Sequence, residues 1–189
     1  MKKLVIAATV ALLAACSGPQ QQQINFAPQP ALSQSDIVKG KSFTLTSKDV
    51  RTSQYVALVD SGRAHIEPVH ARQNVRIAIE NALSQQFSSQ GFTTSVNSEN
   101  SVTVEIQEAL VSVKHSIMES EMNASVVLEI TAETPTGKLV KTYHGTAKKT
   151  STFSASNDDI EMVFNDVVNN VLKKVAQDDE LKNYMREHF

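Results

Sequence analysis

Ile160, Val163, Phe164, Val167, Val168, Val171, Leu172 and Val175 recur at steps of three and four. In an α-helix that spacing places all eight along one face. A helix this one-sided is marginal alone in water and needs an apolar surface to lie on, so the rest of the chain has to supply one. Ser156 and Asn157 are ready caps for its start. Asp158, Asp159 and Glu161 fall at its positive end, and Lys173 and Lys174 near its negative end. A second stripe (Val75, Ala78, Ile79, Ala82, Leu83, Phe87) is followed by Gly91, and it predicts a helix over 71–90 with a left-handed stop. Leu181, Tyr184 and Met185 give a short last helix over 179–187.

Between the two stripes the period changes to two. Val102, Val104 and Ile106 alternate with polar residues, as do Ala124, Val126, Leu128, Ile130 and Ala132, the signature of strands buried on one face. The alternation slips near Glu108 to Leu110, after which Ala109, Val111 and Val113 carry the apolar phase. One extra residue in a β-bulge produces such a slip. Pro135-Thr136-Gly137 is a tight turn into a strand over 139–147, and Glu119 and Glu121 mark the hairpin loop before it. Segments 42–46, 55–59 and 66–69 read as further strands. The expected fold is α+β: a two-layer sandwich of a mainly antiparallel sheet with two long helices on one face, plus a short C-terminal helix. The other sheet face is expected to be polar and open to solvent or a partner.

The chain begins with Lys2 and Lys3, followed by an unbroken apolar run over 4–13. As a helix that run is about 15 Å long, half of a bilayer's hydrocarbon core, so it reads as a secretory signal. It ends in Leu13-Ala14-Ala15-Cys16, which resembles the bacterial lipobox, where the cysteine is acylated and becomes the mature N-terminus. Cys16 is the only cysteine of 189 residues, which excludes an internal disulfide and a Cys-based zinc site. Ser17 follows it, and by resemblance to enterobacterial sorting rules this implies an outer-membrane anchor with the domain facing the periplasm. Losing Lys2 and Lys3 takes the formal charge from −2 to −4, which argues against a nucleic-acid partner.

Residues 17–36 carry Pro19, Pro28, Pro30 and four consecutive glutamines, too little apolar surface to offset ordering entropy. The expected organisation is a signal peptide over 1–15, a lipidated Cys16 with a flexible tether over 16–36, and one domain over 37–189. Ile24 and Phe26 are the tether's candidates for a binding motif.

With these elements placed, the chain is similar to the YajG family of small Gram-negative lipoproteins. The resemblance rests on Asp49-Val50-Arg51-Thr52 after the first strand and on Gln90-Gly91-Phe92 closing the first helix. Ala155-Ser156-Asn157 opening the long helix and Gln177-Asp178-Asp179 near the tail carry the rest. His70-Ala71 departs from the pattern where a hydroxyl cap is expected. The resemblance implies an outer-membrane, periplasm-facing lipoprotein and brings no catalytic residues with it.

Chemistry-bearing motifs are sparse. His65, Glu67 and His70 cluster, but no helical His pair or recurring metal spacing accompanies them, so no metal or cofactor is expected. Ser61-Gly62 beside Asp60 is turn chemistry. Asp49 and Arg51, two apart on extended chain, project to one side, either towards one partner group or with Arg51 holding the loop through a carboxylate. Lys148 and Lys149 end the last strand, as candidates for anionic glycan or lipid headgroups or as a solvated strand end. The leading expectation is a non-enzymatic envelope module that engages another envelope protein or a cell-wall component. The alternatives are a periplasmic hydrolase with a fold-assembled site, marked by convergence of His65, His70, Asp49 and Arg51, or a carrier of a small apolar ligand.

Overall fold

A computed structural model describes residues 22–34, 38–62 and 65–189. The signal segment, Cys16 and the first tether residues lie outside the described residues. In chain order the elements are β1 (Gln23–Ile24), β2 (Ser42–Asp49), β3 (Ala57–Asp60), β4 (Ile66–Ala71), α1 (Val75–Ser89), β5 (Thr93–Thr94), β6 (Ser101–His115), β7 (Glu119–Thr134), β8 (Gly137–Thr152), α2 (Asn157–Gln177) and α3 (Asp179–His188).

β6, β7 and β8 form a long antiparallel meander. Its covered face is the alternating apolar set: Val102, Val104 and Ile106, then Ala109, Val111 and Val113 on β6, and Met122 to Ala132 at every second residue on β7, all buried. The phase switch is a bulge at Gln107, between Ile106 and Glu108. The other edge of β6 is shared end to end. β2 runs parallel to it up to Asp49–Ile106, and β3 takes over in parallel from Ala57–Val111. β4 pairs antiparallel with β3, β1 parallel with β4, and β5 parallel with β2.

The α+β content stands, and by paired length the sheet is mainly antiparallel through β3–β4, β6–β7 and β7–β8. The short pairings β1–β4, β2–β5, β2–β6 and β3–β6 run parallel and make it mixed. The two helices expected to be long span 15 and 21 residues. The first is short because residues 70 and 71 join β4, where they pair with β1, and the cap is Asn74, whose side chain accepts from the Ile77 N–H at 3.1 Å. The expected stop at Gly91 is present, with φ +94° and room only for hydrogen: a Cβ there would stand 1.9 Å from the Val38 carbonyl oxygen. At the start of α2, Ser156 and Asp159 form a reciprocal capping box.

α1 rests on β2 through Phe87, whose ring meets Phe43 edge-on at 5.4 Å. α2 lies against β7 and β8, and Gly145 sets its approach. A Cβ at 145 would stand 2.4 Å from Val171 Cγ2 and 3.1 Å from the Val167 carbonyl oxygen. Gly145→Ala therefore pushes α2 off the sheet. The expected loss, read by urea unfolding, is about 1–3 kcal/mol.

The tether expectation is corrected for residues 22–34, which are part of the domain. Ile24 and Phe26 are 1% exposed, and the Phe26 ring lies 5.0 Å from that of Phe164 on α2. The backbone N–H groups of Asn25, Ala27 and Gln29 donate to Glu161, Asn165 and Asn169 at 2.7, 3.0 and 2.7 Å. Ala31 and Ser33 continue the series onto Gln86 and Ser89 of α1. The fit is one of pitch: two residues of extended chain advance about 6–7 Å and four helical residues about 6 Å. The donors to the two helices are the odd-numbered residues, while the Phe26 N–H donates outside the ladder to Gln73 at 2.7 Å; Pro28 and Pro30, which have no N–H, occupy even positions where this ladder asks for none. Two buried side chains and an amide ladder thus supply the ordering energy that composition alone does not suggest.

Candidate functional site: the Asp49–Arg51 pair and the open sheet face

Asp49 ends β2 where β6 bulges and exchanges one neighbour for another. Arg51 folds back on it: Nε donates to Asp49 Oδ1 at 2.8 Å and Nη2 to Oδ2 at 2.7 Å. Nη1 donates to the Ala109 carbonyl at 3.2 Å. The side chains are 5% and 13% exposed for Arg51 and Asp49, so the fork and carboxylate satisfy each other across the gap between β2 and β3. Hydrogen bonds from Arg51, working against burial, hold the Asp49 carboxyl below the usual carboxylate range. Of the two readings of this pair, the geometry matches the one in which Arg51 holds the loop.

Two hollows flank the pair. One of about 90 Å³ is lined by Thr52, Ser53, Tyr55 and the bulge residues of β6. The other, about 300 Å³, brings Arg51 beside His70, Arg72 and Asn74. His65, just before β4, does not line either hollow. Arg51 and His70 are thus brought together, with Asp49 behind Arg51, and His65 is left out.

Lys148 and Lys149 lie on opposite faces of β8. Lys148 pairs with Glu121 at 2.8 Å on the open face. Lys149 reaches Asp159 at the start of α2, at 3.7 Å. Around Lys148 the open face dips into a hollow of about 400 Å³ bordered by Glu108, Leu110, Ser112, Asn123, Ser125 and Thr146.

Sequence reasoning missed Ser120. Its hydroxyl is fully buried and donates to the Phe153 carbonyl at 2.5 Å. It accepts from the Ala155 N–H at 3.1 Å and meets His115 Nδ1 at 2.6 Å. With its one proton committed to Phe153, the hydroxyl accepts from His115, which the network assigns as the Nδ1–H tautomer. The serine–histidine contact closes the β6–β7 hairpin, and the bonds of Ser120 to Phe153 and Ala155 tie that hairpin to the β8–α2 connection. No sequence signal singles out one serine among so many. Asp178 likewise joins α2 to α3. Burial opposes its ionisation, but the Leu181 N–H, the Tyr143 hydroxyl and Lys141 together hold its carboxyl below the usual range, while burial and Asp178 push the Tyr143 hydroxyl far up. Among the described residues no group of three or more His, Cys, Asp or Glu side chains is placed to hold a metal ion, and no helix is long and apolar enough to cross a membrane.

A family described as "uncharacterized lipoprotein" matches residues 28–186. The chain belongs to that lipoprotein family. Two curated relatives, both named "uncharacterized lipoprotein YajG", come from Escherichia coli K12 and Escherichia coli O6:H1. Each is 23% identical over 192 aligned residues, covering 100% of this chain and 99% of the relative. The resemblance to the YajG family therefore stands. Among solved structures, a Xanthomonas campestris protein superposes with a TM-score of 0.54 at 12% identity, covering 80% of this chain and 91% of its own. Another uncharacterized protein gives 0.51 at 7% identity, with 84% and 98% covered. At such identities the likeness shows a shared fold alone.

Proposed function

We propose that the mature protein is an outer-membrane lipoprotein, cleaved before Cys16 and acylated on it. In this reading its domain faces the periplasm and acts as a non-enzymatic interaction module. The observation that carries the reading is the uncovered face of the β6–β8 meander. Strands of 15, 16 and 16 residues present one buried and one solvated side, and the solvated side holds the hollow around Lys148, Ser112 and Asn123. The polar groups that suggested chemistry are otherwise engaged: Asp49 with Arg51, Ser120 with three backbone and side-chain partners. Beneath the helices the buried side chains form one continuous apolar cluster, which favours a filled core over an internal apolar ligand.

A photo-crosslinking residue placed at Asn123 in the full chain, expressed in the envelope, tests this. A discrete adduct with an envelope protein or glycan is expected, and Ser125→Arg, which fills the hollow, abolishes it. Adducts that survive Ser125→Arg, or none at all, overturn the assignment of this face. Envelope fractionation and mass spectrometry of the mature N-terminus test the anchor separately.

A further inference from the structure

Three large apolar side chains stand in solvent at one end of the meander. Ile117 and Met118, at the tip of the β6–β7 hairpin, are 100% and 78% exposed, and Phe153, just past β8, is 74% exposed. They form one group, since the Phe153 N–H donates to the Met118 carbonyl at 3.2 Å. Phe153 also has φ +68°, a left-handed conformation that disfavours a bulky residue, and it gains no burial in return. Ile66, 58% exposed, begins β4 at the same end, because Ile66 pairs with Asp60 and Asp60 with Lys114.

The chain enters from this end too. β1 runs parallel to β4, so Gln22 lies on the side from which β4 starts, and its Nε2 donates to Glu67 at 3.2 Å. The registers β1–β4, β4–β3 and β3–β6 put Gln22 level with Val111. From Val111 to Ile117 is six residues, about 20 Å of strand. From Cys16 to Gln22 is also six residues, at most about 20 Å of chain. An acylated Cys16 and the apolar tip are therefore able to reach one plane. Charge at this end is mixed, Lys114 being flanked in the sheet by Asp60 and Glu121, so apolar contact rather than net charge carries the interaction.

We propose that Ile117, Met118 and Phe153 insert into the lipid surface that holds the acyl chains, a second membrane contact that fixes the domain's orientation. This rests on the anchor at Cys16. The chain contains no tryptophan, so Ile117→Trp gives a single reporter, and Val96→Trp gives a control. Val96 is 87% exposed and follows β5, which pairs with the start of β2 at the opposite end. The acylated full chain is incorporated into vesicles of phosphatidylethanolamine and phosphatidylglycerol with brominated acyl chains. Ile117→Trp fluorescence is expected to be quenched several-fold more than Val96→Trp, with a blue-shifted maximum and little response to salt. Phe153→Trp repeats the measurement should the first variant misfold. Equal quenching at 117 and 96 in chains that float with the vesicles overturns the proposal while leaving the anchor intact. A blue shift at 117 without quenching overturns it in favour of a protein contact. Chains that do not float remove the anchor, and this proposal with it.

Discussion

Phe26→Ala lowers the unfolding free energy by about 3–5 kcal/mol, the range for deleting a fully buried aromatic ring. The ring is 1% exposed and packs on Phe164. Alanine leaves a void between two elements that are clamped from below by the sheet and so cannot readily close it. A residue in a free spacer gives a change within about 0.5 kcal/mol, so a single urea titration separates the two descriptions. Asn165→Ala gives a smaller loss, about 1 kcal/mol, because it removes the acceptor for the Ala27 N–H and the donor to the Asn25 carbonyl. A truncation beginning at residue 37 loses both contributions, and its product is expected to unfold at far lower denaturant.

Arg51→Ala is expected to cost about 3 kcal/mol, since it leaves the Asp49 carboxylate partly buried without its fork and the Ala109 carbonyl without its donor. The companion Asp49→Asn and the double variant close a mutant cycle whose coupling term measures the pair. The pH dependence has a definite sign. The folded Asp49 carboxyl titrates below its unfolded counterpart, chiefly through hydrogen bonds from Arg51. Its stabilising contribution is therefore complete above the unfolded carboxylate range and is lost as pH falls through the lower folded value. The stability gap between wild type and Arg51→Ala is expected to be constant from about pH 5 upward and to narrow in more acidic solution. A gap that widens in acid contradicts the pairing.

Much of this architecture is legible from side-chain parity. The stripe from Ile160 to Val175 emerges as α2 with all eight residues buried, because burial is what keeps the spacing at three and four. The change of phase from Ile106 to Ala109 locates the bulge within a residue or two, since an extra residue must flip every later side chain. Strand direction is another matter. Parity says which face a residue takes and nothing about whether its neighbour runs alongside or against it, so the parallel pairing of β2 and β3 with β6 was out of reach. The segment from Gln22 to Ser33 hides its order for a related reason: its prolines and glutamines look like those of a spacer, and what orders it, beside the buried Ile24 and Phe26, is a ladder of polar side chains supplied by other elements. The trace of that ladder is Glu161, Asn165 and Asn169 at intervals of four on the flank of the apolar stripe, set against prolines at alternate positions. Asp49 and Arg51 were nameable from their spacing, but only the bulge beside them makes their mutual pairing the stable arrangement.

The stitched segment also decides how the molecule bears load. A pull applied at Gln22 along the axis of β1 acts lengthwise on its parallel bonds to β4 and on the N–H contacts to Glu161, Asn165 and Asn169. In that shearing geometry the bonds share the force and must break together, whereas peeling would break them one by one. Tension applied at Gln22, as the proposed anchor at Cys16 would apply it, is thus spread at once into the sheet and into α2, and the attachment resists drag far better than the same number of bonds opened as a zipper.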